Sequence, residues 1–191
     1  MAEKTEIKKV TTPEFRVSFP AVFEPSGMQG QEKKYSVTML FDKKAQATPE
    51  YKALVALIRH AVEEKFPDAS KRPKGLKNPL RNGSEKEQDG YADTMFCTAR
   101  SKTKPGLVDA QLQAIISAEE FYPGCYARAT VNAFYYDQAG NKGVGLGLQN
   151  IQKLRDGEPF SGRSKAEDDF GAVEGQESTG AAPVDEDTFA A

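Results

Sequence analysis

The chain has 191 residues, with 26 Lys and Arg against 28 Asp and Glu, one His, two Cys and no Trp. Its apolar share is 38%, or about 46% once glycine is counted, which supports a core and excludes a fully disordered chain. No run approaches the ~20 apolar residues of a membrane-spanning helix, and the opening MAEKTEIKKV has no apolar signal region, so a cytoplasmic protein without a membrane partner is expected.

The first strand pattern is Thr12 to Phe23, with Phe15, Val17, Phe19 and Ala21 on one face and a break at Pro20. After the Glu24–Gly27 turn, Lys34 to Phe41 alternates again, and the two stretches are expected to pair across a polar loop. Thr48-Pro49-Glu50 is a helix start, with Thr as N-cap, Pro at the first helical position and an acid in the first turn. Tyr51, Leu54, Val55, Ile58 and Val62 continue it at helical spacing, and Pro67 stops it near Phe66.

A long aperiodic segment follows, from Asp68 to Gly90. Between Lys71 and Arg81 it carries Lys71, Arg72, Lys74, Lys77 and Arg81 and no acid. Loops of this length inside a domain are uncommon and often functional, so these cations are candidates for phosphate contact as well as for a plain solvated loop.

Tyr91 to Lys102 reads as a strand, with Met95, Cys97 and Ala99 inward and Phe96, Arg100 and Lys102 outward. A turn at Lys104–Leu107 precedes a short strand near Leu107–Val108. Cys125 to Tyr136 has a small apolar face and an opposite face carrying Tyr126, Arg128, Phe134 and Tyr136. Beyond the hairpin loop 137–141, Val144, Leu146 and Leu148 face the core, while Gly143, Gly145 and Gly147 face away. Glycine on one face permits sharp curvature or close approach of a ligand. The expected fold is mainly β with one α-helix: a curled, five-stranded antiparallel barrel of the OB type, ending in a disordered acidic tail.

Charge divides the chain in the same way. Residues 1–165 hold all 26 basic residues and 20 acids, a balance of +6, whereas 166–191 hold eight acids and no base. A nucleic-acid-binding domain over 1–165 and an acidic tail over 166–191 are expected. From Gly171 onward the tail has too little apolar content to offset its ordering entropy. Phe189 beside Asp185, Glu186 and Asp187 suits a partner's pocket better than a core.

Exposed rings interleaved with cations are what an unpaired strand asks for. Each base has a π-face that stacks on an aromatic, worth ~1–3 kcal/mol. Each phosphate takes a cation, with salt-sensitive counterion release. Candidate nucleic-acid contacts are therefore Phe96, Arg100, Lys102, Tyr126, Arg128, Phe134 and Tyr136, with the basic loop beside them. A competing expectation is that these rings pack on the helix or on a protein partner.

Catalysis finds little support. Cys97 and Cys125 make at most one disulfide and, with His60, fall short of a closed zinc site. They read as small buried thiols. The densest acids lie in the tail, where no rigid metal geometry forms, and GVGLG at 143–147 lies in a strand with no helix after it. A binding protein without cofactor or metal is expected, not an enzyme.

FPAVFEP (19–25), KYSVTMLFDK (34–43), GYADTMFCTARSKTKPGLVD (90–109), the stretch from Phe121 to Arg163 and AEDDF (166–170) together resemble the bacteriophage single-stranded DNA-binding proteins with an OB fold. That resemblance implies coating of single-stranded DNA during phage replication, recombination or repair in the infected host. It also implies recruitment of replication or recombination proteins by an acidic tail, here Asp185, Glu186, Asp187 and Phe189. Many members of that family end on the aromatic, whereas Ala190 and Ala191 follow Phe189 here. The charge split further suggests that the tail competes with DNA for the basic body. Duplex DNA and a second copy of the chain stay open as partners, and a protein-interaction module and a strand-annealing mediator stay open as alternative functions.

Overall fold

The computed structural model describes residues 9–160. The acidic segment 166–191, with its expected disorder and its Asp185, Glu186, Asp187 and Phe189, lies outside the described residues.

Eight strands and two α-helices follow one another as β1 (Val10–Thr11), β2 (Phe15–Ser26), β3 (Lys34–Phe41), α1 (Lys43–Gln46), α2 (Pro49–Lys65), β4 (Arg81–Asn82), β5 (Met95–Ser101), β6 (Gly106–Val108), β7 (Tyr126–Gln138) and β8 (Asn141–Arg155). The pairs β2–β3, β3–β5, β5–β8, β8–β7 and β7–β2 close into a ring. Four of these seams are antiparallel, and β5–β8 is parallel. The barrel is thus OB-like, and its ring is mixed where the alternation alone suggested antiparallel pairing throughout.

Alternation explains the interior. Phe15, Val17, Val37, Met39, Phe41, Cys97, Ala99, Ala127, Ala129, Val131, Leu146 and Leu148 are all buried. The small residues of β7 fill the tight side of the ring, as a small barrel requires. Phe41 makes edge-to-face contacts with Phe15 at 6.1 Å and with Tyr51 of α2 at 5.5 Å. The helix begins as its N-terminal residues dictate: the Thr48 hydroxyl accepts from the Tyr51 amide at 3.2 Å, and Pro49 is the first helical residue. It buries Leu54, Leu57, Ile58 and Ala61 against β7, β1 and β8.

Two local departures shape the outside. Phe19 does not share the inward face of Phe15 and Val17; it is 63% exposed with φ +42°. The cause is a bulge at Pro20, which has no N–H for the β3 ladder. The basic segment is not wholly a solvated loop either. β5 and β8 pair only at Ala99–Leu146 and Arg100–Gly147. Where they splay, Lys77 pairs with Gly143 of β8 and Arg81–Asn82 with Phe96–Met95 of β5. Residues 77–82 thus close the gap in the wall, with Leu80 buried in the core.

Both thiols are free and buried. Burial pushes Cys125 up to about 11 and Cys97 higher still. An unfolded cysteine ionises near ~8.5. Above that pH the unfolded chain has released protons that the native chain still holds, so stability is complete below ~8.5 and declines toward pH 11. The urea midpoint is therefore expected to fall between about pH 8 and about pH 10, and to fall less steeply in a Cys97→Ala/Cys125→Ala double variant. An equally steep fall without the thiols would contradict this origin.

Candidate nucleic-acid interface

Strand register lays one row of outward positions across four strands. Ser36 of β3 faces Arg100 of β5, Arg100 lies beside Gly147 of β8, and Gly147 faces Asn132 of β7. The neighbouring inward positions Val37, Ala99, Leu146 and Val131 are core, which fixes this row on the outside. Arg100 is exposed and forms the floor of an open cleft of about 770 Å³. One wall is the 26–34 segment, with Met28, Gln31, Glu32 and Lys34, and Gln138 at the end of β7 closes the other side. In OB folds this second- and third-strand face, between these two loops, is the usual position for an oligonucleotide.

The cleft carries a net positive charge, with an acid inside it. Lys102 lies 3.0 Å from the Glu32 carboxylate, and Lys34 lies 3.9 Å from it. All three side chains are substantially exposed, so these pairs are weak and screened by salt. A phosphate could replace the carboxylate on both ammonium groups at little cost.

The aromatics of β7 follow from the glycines of β8. Phe134 is opposite Gly145, Tyr136 opposite Gly143 and Asn132 opposite Gly147. A Cβ on Gly145 would come within 2.6 Å of the Phe134 ring, and one on Gly143 within 3.0 Å of the Tyr136 hydroxyl. On Gly147 it would collide with the Asn132 amide. The room left on the glycine face is thus taken by side chains of the neighbouring strand. Phe134 lies against Gly145 yet remains 48% exposed. Tyr136 is half-buried, and Lys77 shares the Gly143 position with it, its Nζ donating to Asn141 Oδ1 at 2.7 Å. Arg100, Phe134, Tyr136 and Lys77 therefore stand around one seam, with Lys102 at its upper end.

Other expected contacts lie elsewhere. Phe96 is only 7% exposed: the 68–94 connection folds back over it, with Tyr91 edge-on at 5.3 Å and the Arg81 guanidinium 5.5 Å from its ring centre. Its ring is not offered to solvent, which corrects the reading from alternation. Tyr126 is on the expected outward side of β7, but eight residues, about 26 Å of strand, separate it from Phe134. One face of its ring carries the Arg155 guanidinium at 3.6 Å, and that guanidinium also donates to Glu14 at 2.7 Å. Arg128 donates to Gln152 at 2.9 Å and lines a different groove, beside Thr11 and Asn150. Within the basic segment, Lys71 pairs with Asp68 at 3.9 Å, and Arg72 donates to the Phe66 carbonyl at 3.3 Å. Lys74 is exposed. Strand alternation does not single out Lys34 at the start of β3 or Gln138 at the end of β7, because a cleft closed by strand ends and the 26–34 segment has no periodic signature.

Among the described residues no group of three or more His, Cys, Asp or Glu is placed to hold a metal ion, and no helix is long and apolar enough to cross a membrane.

Residues 8–181 match the family model described as Enterobacter phage Enc34, ssDNA-binding protein. Protein p50 of Acyrthosiphon pisum secondary endosymbiont phage 1 is 34% identical over 182 residues, covering 88% of this chain and 97% of that protein. Among solved structures, the single-stranded DNA-binding protein from bacteriophage Enc34 in complex with ssDNA aligns with a TM-score of 0.71 at 22% identity, covering 81% of this chain and 90% of the other. The bacteriophage T7 single-stranded DNA-binding protein gp2.5 aligns with a TM-score of 0.58 at 14% identity, over 90% and 99% of the two chains. At these identities the structural likeness speaks for the fold. The match along nearly the whole sequence establishes the rest: the chain belongs to the Enc34 family of phage single-stranded DNA-binding proteins.

Proposed function

We propose that this chain binds single-stranded DNA across the outer face of β3, β5, β8 and β7, without catalysis. The observation that carries this reading is the Ser36–Arg100–Gly147–Asn132 row, which puts an exposed guanidinium in an open cleft, with the half-exposed Phe134 ring two residues along β7 from Asn132. Bases stack on Phe134 and Tyr136, while Arg100, Lys34, Lys102 and Lys77 take phosphates. The Enc34 relative solved with ssDNA supports the choice of ligand. By coating exposed strands, the protein serves phage replication, recombination or repair in the cytoplasm of the infected host. The acidic segment 166–191 recruits partner proteins and competes with DNA for the same cations, as its eight acids and lack of bases suggest.

Titration with oligo(dT) over a range of salt tests the reading. With roughly 4–6 phosphates engaged, log K is expected to fall with log salt at a slope of about −3 to −4. Arg100→Ala is expected to reduce that slope by about 0.7, the contribution of one phosphate on a single strand. Phe134→Ala is expected to weaken binding by about 5- to 100-fold with the slope unchanged, since stacking releases no counterion. A slope near zero would remove the phosphate-based cleft.

The acid in the cleft gives a separate expectation. Glu32→Gln frees Lys34 and Lys102 and is expected to tighten oligo(dT) binding, most at low salt. Weaker binding would mean that Glu32 holds the two lysines in place for the phosphate. Deleting 171–191 is also expected to tighten binding most at low salt; an unchanged affinity would remove the tail from competition.

A further inference from the structure

β2 contains a feature that the cleft described above does not use. Ser18 pairs with Thr38 and Ala21 with Ser36, so β2 takes three steps where β3 takes two. The surplus residue falls at Phe19–Pro20. This segment is not a frayed end. Val17 and Val22 on either side are fully buried, Ser18 is bonded to the Tyr91 hydroxyl at 2.8 Å, and the Val17 backbone is bonded to Gly124 and Cys125, both at 2.8 Å. Between these fixed points a bulky aromatic adopts φ +42° and stays 63% exposed. Left-handed backbone disfavours a residue with a large side chain, and water disfavours an unburied ring. Glycine or asparagine would meet the backbone requirement more easily. Such strain persists where the surroundings impose it, and it recurs at binding sites.

The position of the bulge is informative. It falls between the Ser18–Thr38–Thr98 row and the Ala21–Ser36–Arg100 row, on the β2 side of the arginine. Phe134 lies on the far side, beyond β3, β5 and β8. Four inter-strand spacings of ~4.8 Å put the two rings about 19 Å apart along the wall, within the reach of the ~4–16 nucleotides that one OB fold accommodates. We propose that Phe19 is a second base-stacking platform, receiving a nucleobase where the strand crosses β2, so that bases at the two ends of the footprint stack on Phe134 and Phe19 with Arg100 between them. The inference rests on the single-strand reading above and adds the direction of the strand, across the barrel strands toward β2.

Oligo(dT) of graded length, from about 3 to about 12 nucleotides, tests it with full-length protein. Phe19→Gly should leave the thermal midpoint unchanged or raise it, because glycine relieves the positive φ. It should weaken binding of the longer oligomers by about 5- to 100-fold and leave the shortest, which cannot span both rings, near wild-type affinity. Phe19→Trp should preserve long-oligomer affinity, and Phe19→Leu, apolar but without a π-face, should lose it. Wild-type affinity of Phe19→Gly for every length would overturn the inference, as would an equal loss at every length or a collapse of the midpoint. Failure of the wild-type protein to take up any oligo(dT) would overturn the single-strand reading itself.

Discussion

A ring can serve a nucleobase only if one of its faces stays in water while the other is held still. In this barrel that condition is met by bare backbone. Gly145 lets the Phe134 ring lie down on β8, and Gly143 makes room for the Lys77 backbone and the Tyr136 hydroxyl. A side chain on Gly145 would lift the Phe134 ring off the wall. Where the Arg100 row crosses β8 the residue is again a glycine, Gly147, and its outward space holds the Asn132 amide. Glycine normally weakens a strand interior, and here the neighbouring strand's side chains cover the exposed backbone, a form of aromatic rescue.

Electrostatics acts on a different scale from this packing. Most ion pairs among the described residues are exposed, so each contributes little to the fold. Their use lies in exchange. Glu32 pairs with two lysines, and in the proposed reading the weakness of those pairs lets phosphates displace it. The same exchange is proposed between the +6 body and the −8 segment. Stacking without charge would be insensitive to salt, and charge without stacking would hold duplex DNA as readily as single strands. The two together favour unpaired strands.

The long strands, the main helix α2 and its cap are legible in the sequence, because their determinants are local, whereas the two-residue strands β1 and β4 and the short α1 are not. Thr48-Pro49-Glu50 and the alternation of CYARATVNAFYY need no tertiary information. Alternation also put Phe134 and Tyr136 on the outer face. It failed where a distant segment or a single extra residue intervened. Phe96 is outward on β5 but lies under Tyr91, a contact made by a connection whose course no periodicity describes. Tyr126 shares a strand face with Phe134 and is far from it along the barrel. Period-2 counting from Phe15 and Val17 puts Phe19 inward, and the bulge that turns it out lies at Pro20, where the same pattern breaks on a proline without an N–H. The parallel β5–β8 seam was hidden for the same reason as the wall formed by 77–82: both are set by long-range closure.

Photo-cross-linking of a halogenated single-stranded oligonucleotide to the full-length protein, with the attachment sites mapped by mass spectrometry, tests the central claim most directly. Cross-links on the β7–β8 hairpin at Phe134 or Tyr136 are expected, with none at Tyr126. Attachment concentrated at Tyr126, with the hairpin unmodified, would place the DNA at the far end of β7 and contradict the cleft described here.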